Sequence, residues 1–274
     1  MPAQREVYPH APLAMVAAEV RYSYSSTFQE VANMAHFLDE LRDRVPVVVR
    51  QQRTTINIPL GTEPPSDFPR QVLDVMEARS LDSQVTASIS AEAMTVAMSG
   101  TAYTQFEDSL RPFLEQAVQA LIAAAPGTLV LRAGLRYLDE LRVPEPPDEI
   151  RGWGVWVEPS LLGGAALLDG VGGRSTEMRC IWQYALPEDR QVVVNLGPFF
   201  GTGVVGPDHP FHRVSDPTQM FVLDIDSSWT PPSGTESLQA ESLLSVYDGL
   251  HEPTQTIFQS ALTDEARQLF RGQL

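Results

Sequence analysis

The stretch TLVLRAGLRYLDELRV, residues 128–143, decides the reading of the fold. Its odd positions Leu129, Leu131, Ala133, Leu135 and Tyr137 are apolar, whereas its even positions carry Arg132, Arg136, Glu140 and Arg142, with Gly134 between the first two arginines. Successive residues of a strand point to opposite faces, so this alternation predicts a long strand with one face on a core and one charged face. Working back from it, PLAMVAAEVRYSY (12–24) shows the same period, with Val16, Val20 and Tyr22 on one parity and Met15, Glu19 and Arg21 on the other. A β-branched strand is predicted over 46–60, and short alternating strands over 81–106 with a turn at Gly100.

Helices fall between these strands. Thr27 and Glu30 have capping-box spacing ahead of a stripe through Phe28, Val31, Met34, Leu38, Leu41 and Val45. A second stripe runs over 108–125 until Pro126-Gly127 stops it, with Pro112 tolerated in the first turn. Beyond the central stretch, PEPPDE is a polar break. A Trp- and Gly-rich segment follows, then a hairpin about Pro187-Glu188-Asp189, a strand at QMFVLDID, and helices near 236–250 and 254–271. Helices do not alternate with every strand, so the expected class is α+β: antiparallel sheets, each covered by helices, in two similar β-α-β(n)-α halves. The halves are 1–127 and 128–274, or one continuous domain.

Bulk composition limits function. With 35 acidic and 19 basic residues the formal net charge is −16, and all the basic residues are Arg. Such a chain repels a phosphate backbone, so nucleic acid is not an expected partner. The lone Cys180 forms no intramolecular disulfide, the opening MPAQREVYPHAP lacks the apolar core of a signal peptide, and no stretch reaches the ~20 apolar residues of a membrane span. The expected location is the cytoplasm, away from membranes.

Several blocks resemble a known group. Tyr8-Pro9-His10-Ala11-Pro12-Leu13 leads into Glu19-Val20-Arg21-Tyr22. Gly134-Leu135-Arg136-Tyr137-Leu138-Asp139 follows in mid-chain, Leu223-Asp224-Ile225-Asp226 comes late, and Leu250-His251 with Phe258 closes the chain. Together they resemble a sporadically distributed bacterial family of uncharacterised proteins of about this length, which usually has Asn at the position of Asp139. The resemblance implies a bacterial, cytoplasmic setting and brings no catalytic residues. A sporadic distribution fits an accessory system such as phage defence or toxin neutralisation.

Each candidate chemistry has a plainer counterpart. GTGVVG (201–206) matches a dinucleotide-binding pattern, but Pro207 and Pro210 keep it from opening a helix, so it reads as a loop and no cofactor is expected. Asp208, His209, His212 and Asp216 are proper ligand types for a divalent metal, set against a polar loop around a buried Phe211. Asp224 and Asp226 share one strand face, with Phe221, Leu223 and Ile225 turned to the core. In a hairpin strand, Glu177, Arg179 and Gln183 oppose Met178, Cys180, Trp182 and Tyr184. If these strands share a sheet, Arg132, Arg136, Arg179, Asp224 and Asp226 line one polar surface for an anionic ligand or a protein partner. The counterpart is an internal Arg–Asp network joining the halves. No nucleophile elbow, phosphate loop or zinc-protease motif occurs. The reading that follows is a non-enzymatic, antitoxin-like module binding another protein or itself. The alternatives are a metal-dependent hydrolase or phosphate-handling enzyme using Asp224 and Asp226, and a sensor of an anionic small ligand at Arg132 and Arg136.

Overall fold

A computed structural model describes residues 6–55, 71–167, 172, 173, 175, 177–206, 209–212 and 216–274. In chain order the elements are β1 (Leu13–Tyr22), α1 (Val31–Asp39), β2 (Val47–Thr55), β3 (Gln71–Arg79), β4 (Val85–Ile89), β5 (Ala93–Ser99), α2 (Arg111–Ala124) and β6 (Leu129–Leu141). They continue with β7 (Cys180–Leu186), β8 (Arg190–Gly201), β9 (Thr218–Trp229), β10 (Glu236–Ser237), α3 (Ala240–Ala261) and α4 (Asp264–Phe270). The protein is α+β. Among the described residues ten strands form one antiparallel sheet in the order β2-β3-β4-β5-β1-β6-β9-β8-β7, with β10 beside the start of β6. The sheets expected for the two halves are therefore one sheet, joined edge to edge where β1 pairs with β6. In each half the first strand lies at this seam, the second lies at the far edge, and the later strands return inward towards the seam.

The helices all pack on one face of that sheet. Val16, Ala18, Val20 and Tyr22 of β1 meet Ala133 and Leu135 of β6, Phe37 of α1, Phe113 and Leu114 of α2, and Tyr247 and Leu250 of α3 in one core. Farther along the sheet, Phe221, Leu223 and Ile225 of β9 and Val192, Val194 and Leu196 of β8 pack with Trp153, Leu262 and Phe270 in a second. Burying side chains of this size contributes roughly 1.5–3 kcal/mol each, which is why period-2 patterning dictates which face turns inward. The opposite face carries no helix among the described residues. At one end it is covered by loop residues 202–206 and 209–212, whose Val205 and Phe211 pack on Ala14, Ala97 and Leu138.

Local departures from the sequence reading have physical causes. Glu30 is extended and makes no cap, so α1 starts at Val31, preceded by one short turn, and Leu41 and Val45 are buried beyond its end. The segment TAYTQ (101–105) is turn and coil rather than strand, and Phe106 opens the helical turn that leads into α2. Bulges at Ala14 and Leu131 shift the β1–β6 register, so Val130 rather than Leu131 enters the core. Gly100 is required in its turn, because a Cβ there would lie 1.7 Å from the Leu13 carbonyl oxygen. The opening Tyr8 is buried against the closing helices: its hydroxyl donates to Gln259 Oε1 at 3.1 Å and accepts from Arg267 Nη1 at 2.9 Å. None of the described helices is long and apolar enough to cross a membrane.

The two C-terminal helices predicted to part near residue 252 are one helix there, α3 running through Pro253 and ending only at Ala261. A proline has no N–H to give to the carbonyl four residues back, which is that of Gly249. Arg190 fills the gap, donating from Nη1 to Gly249 O at 3.0 Å, and a Cβ on Gly249 would lie 2.6 Å from that nitrogen. Arg190→Ala is therefore expected to cost about 1–2 kcal/mol, the usual range for orphaning a partly buried carbonyl. A fall in the urea midpoint at unchanged slope checks this.

Candidate functional site: a charged seam on the open face

The face without helices is charged along the line where the halves join. Register sets the layout: Ala17 and Glu19 of β1 stand opposite Arg136 and Gly134 of β6, and Arg136 and Leu138 stand opposite Asp226 and Asp224 of β9. Arg136 grips Asp224 with two parallel hydrogen bonds, Nε to Oδ1 at 2.7 Å and Nη2 to Oδ2 at 2.8 Å, the forked geometry that suits guanidinium to carboxylate. Arg132 lies flat over Gly134, donating to Glu19 Oε1 at 3.2 Å on one side and to Asp226 Oδ1 at 3.3 Å on the other. Gly134 makes this possible, since a Cβ would sit 2.7 Å from the Arg132 guanidinium. Glu19 also accepts from Arg21 Nε at 2.7 Å. The chain Arg21–Glu19–Arg132–Asp226 crosses three strands, with the Arg136–Asp224 pair beside it.

Burial grades the electrostatics. The Asp224 side chain is 12% exposed and that of Arg136 48%, so the carboxylate sits at the floor of the pair and the guanidinium at its surface. The hydrogen bond to Asp224 raises the Arg136 pKa above its ordinary value. Burial raises Asp226, against the pull of Arg132 and Arg136. Of the five residues predicted to line one surface, Arg132, Arg136, Asp224 and Asp226 are brought together. Arg179 is not. It is exposed just before β7, two strands out from β9, and pairs with neither aspartate.

The loop candidates resolve differently. Asp208 lies outside the described residues. The His209 Nδ1 accepts from the Phe211 amide at 3.2 Å, His212 Nδ1 is 2.9 Å from the Val205 carbonyl, and Asp216 is exposed. Phe211 is buried, and among the described residues no three His, Cys, Asp or Glu are grouped to hold a metal. The glycine-rich segment opens no helix. Instead, the Val204 amide within it donates at 2.8 Å to the carboxylate of Glu140, beside Gly203, whose added Cβ would lie 3.1 Å from that oxygen. An anion does rest on this loop, and it is the protein's own.

Two buried polar groups escaped the sequence reading. Glu140 is 2% exposed and is also held by Arg142, through Nε at 3.1 Å and Nη2 at 2.8 Å, while Arg142 Nη2 donates onward to the Thr202 carbonyl at 2.6 Å. The parity of β6 puts Glu140 on the open face, and nothing in the sequence announces that a loop 60 residues later covers it. On the helix face, Asp139 is 4% exposed, and burial, followed by the nearby Asp224 charge, pushes its carboxyl up to about 8. Close to it in sequence, the Tyr137 hydroxyl lies 3.2 Å from that of Tyr103 and 3.0 Å from His251 Nδ1, and Phe106 stacks on the imidazole at 4.5 Å. Burial raises the Tyr103 phenol to about 12. Both phenols stay protonated at neutral pH, so the Tyr103–Tyr137 contact is a hydrogen bond between neutral groups.

No family model matches the chain, and a search of curated proteins finds no match.

Proposed function

We propose that the chain is a non-enzymatic protein-binding module whose contact surface is the open face of the sheet around Arg132, Arg136, Asp224 and Asp226. The observation that carries the reading is the Arg136–Asp224 fork: a guanidinium held rigidly by its partner and still half exposed. Side chains fixed before contact lose little entropy on binding, and arginine is among the residues that concentrate interface energy. The arginines are already neutralised by Glu19, Asp224 and Asp226, which favours a protein surface of mixed charge over a small free anion. An accessory bacterial system such as phage defence or toxin neutralisation is the setting we assign to it.

Affinity capture from the source cell tests this with wild-type protein and Arg136→Gln side by side. A partner in near-equimolar amount with the wild type, and at least tenfold less with the variant at an unchanged melting temperature, is the expected result. Equal capture by both, or none by the wild type, counts against the proposal.

A further inference from the structure

Among the described residues the outer strands of the sheet are β2 and β7. An outer strand offers a row of unpaired N–H and C=O groups to any other strand, and proteins usually blunt such an edge with charge, proline or a bulge. The sequence of β2, VVVRQQRTT, contains Arg50 and Arg53. The sequence of β7, CIWQYAL, contains no charge, no proline and no glycine, and its seven pairs with β8 run in unbroken register from Cys180↔Leu196 to Leu186↔Arg190. Its outer edge is paired with no strand among the described residues. Ile181 is 57% and Tyr184 45% exposed, and Gln183 and Ala185 between and beside them are exposed as well. The even-numbered face of the same strand, on which Tyr184 is exposed, is anchored through Cys180, Trp182 and Leu186, which pack on the second core. The edge is thus regular in register and, among the described residues, open.

We infer that β7 is a homodimerisation edge, pairing antiparallel with β7 of a second copy about a two-fold axis through Gln183. The choice of a second copy follows from the residues themselves. Antiparallel pairing centred on Gln183 sets Trp182 against Tyr184, Ile181 against Ala185, Cys180 against Leu186, and Gln183 against its own copy. Each two-fold-related pair joins side chains on one face of the sheet, as isologous contact requires. The aromatic pair is of the kind that stabilises neighbouring strands, and Gln183, whose Nε2 donates to Gln191 Oε1 at 3.0 Å, keeps a second N–H and its carbonyl oxygen for its copy. Charge points the same way. Two chains of net charge −16 repel each other over most of their surfaces, and an uncharged strand is where they meet at least electrostatic cost. In-plane pairing of this kind keeps both helix layers on one side, so two copies of the open charged face lie side by side. The inference does not depend on what that face binds.

Sedimentation of the full chain at 50–100 µM, a range that registers dimers of micromolar affinity, tests it. The expected mass is about 60 kDa, twice the 30.2 kDa of one chain. Gln183→Lys places two ammonium groups at the axis and is expected to return the protein to a monomer with unchanged circular dichroism. Gln183→Cys in a Cys180→Ser background is expected to give a covalent dimer on mild oxidation, a readout that survives even if the lysine variant folds poorly. A wild-type monomer throughout this range, a Gln183→Lys protein as dimeric as the wild type, or a Gln183→Cys protein that fails to cross-link overturns the inference.

Discussion

Asp139→Asn is expected to stabilise the protein at pH 7 by about 2–4 kcal/mol, the free-energy equivalent of two to three pKa units. The Asp139 carboxyl lies on the helix side of β6 opposite Leu13 and Leu223, and burial there lifts it to about 8. In the unfolded chain it titrates near 4. Between those two values the folded state holds a proton that the unfolded state has released, so the unfolded state binds fewer protons and stability falls as pH rises. The contribution is fully present below pH 4 and is lost as pH climbs through 8. Asparagine has nearly the same shape and no charge to desolvate, so this slope disappears. Urea unfolding at pH 5 and pH 8 checks it: the wild type is expected to be markedly weaker at pH 8 and the gap between variant and wild type to widen with pH. A pH-independent gap means that the two states do not differ in protonation at Asp139.

Arg142→Ala is expected to cost about 3 kcal/mol, the scale of stranding a buried charge without its partner. The Glu140 side chain is 1% exposed, and Arg142 supplies two of its hydrogen bonds as well as one to the Thr202 carbonyl. Loss of the guanidinium removes the Arg142–Thr202 tie between β6 and the loop and leaves the Val204–Glu140 one, so the loop is expected to become more sensitive to protease under native conditions while the sheet stays intact. Arg142→Lys recovers only part of the loss, because one ammonium does not reproduce the planar fork. Glu140→Gln is expected to be milder than Arg142→Ala, since it removes the charge that needs compensation. If all three variants melt together within 0.5 kcal/mol, the tie is incidental.

How much of this was legible beforehand depends on whether a feature is local. The alternation in β1, β6 and β9 names the faces correctly, because inward and outward residues differ in kind. That is why Arg132, Arg136, Asp224 and Asp226 were drawn together from sequence positions far apart. Two bulges, at Ala14 and Leu131, have no such signature, being set by how β1 and β6 meet. Strand β3 reads poorly because Val75, Met76, Glu77 and Ala78 are all buried, on both parities. Arg179 shares the parity of the site and misses it by strand order, which no pattern within one strand encodes. Pro253 signals a helix end, and only the distant Arg190 explains why the helix continues. The buried carboxyls of Asp139 and Glu140 are the hardest case. Adjacent acids near a strand end look like surface, and their burial comes from Leu13 and Leu223 for one and from a loop for the other.

The strand order also governs how the chain comes off the ribosome. β1 is synthesised first and lies mid-sheet, with β5 and β6 as its neighbours. At synthesis rates of about 5–20 residues per second, the ~70 residues separating β1 from β5 take roughly 4–14 s. Through that interval both edges of a strand rich in valine and alanine stand open, and Glu19 and Arg21 are its only charges against joining a neighbouring nascent chain. In the finished molecule those two residues begin the charged seam; during synthesis the same pair serves as gatekeeper.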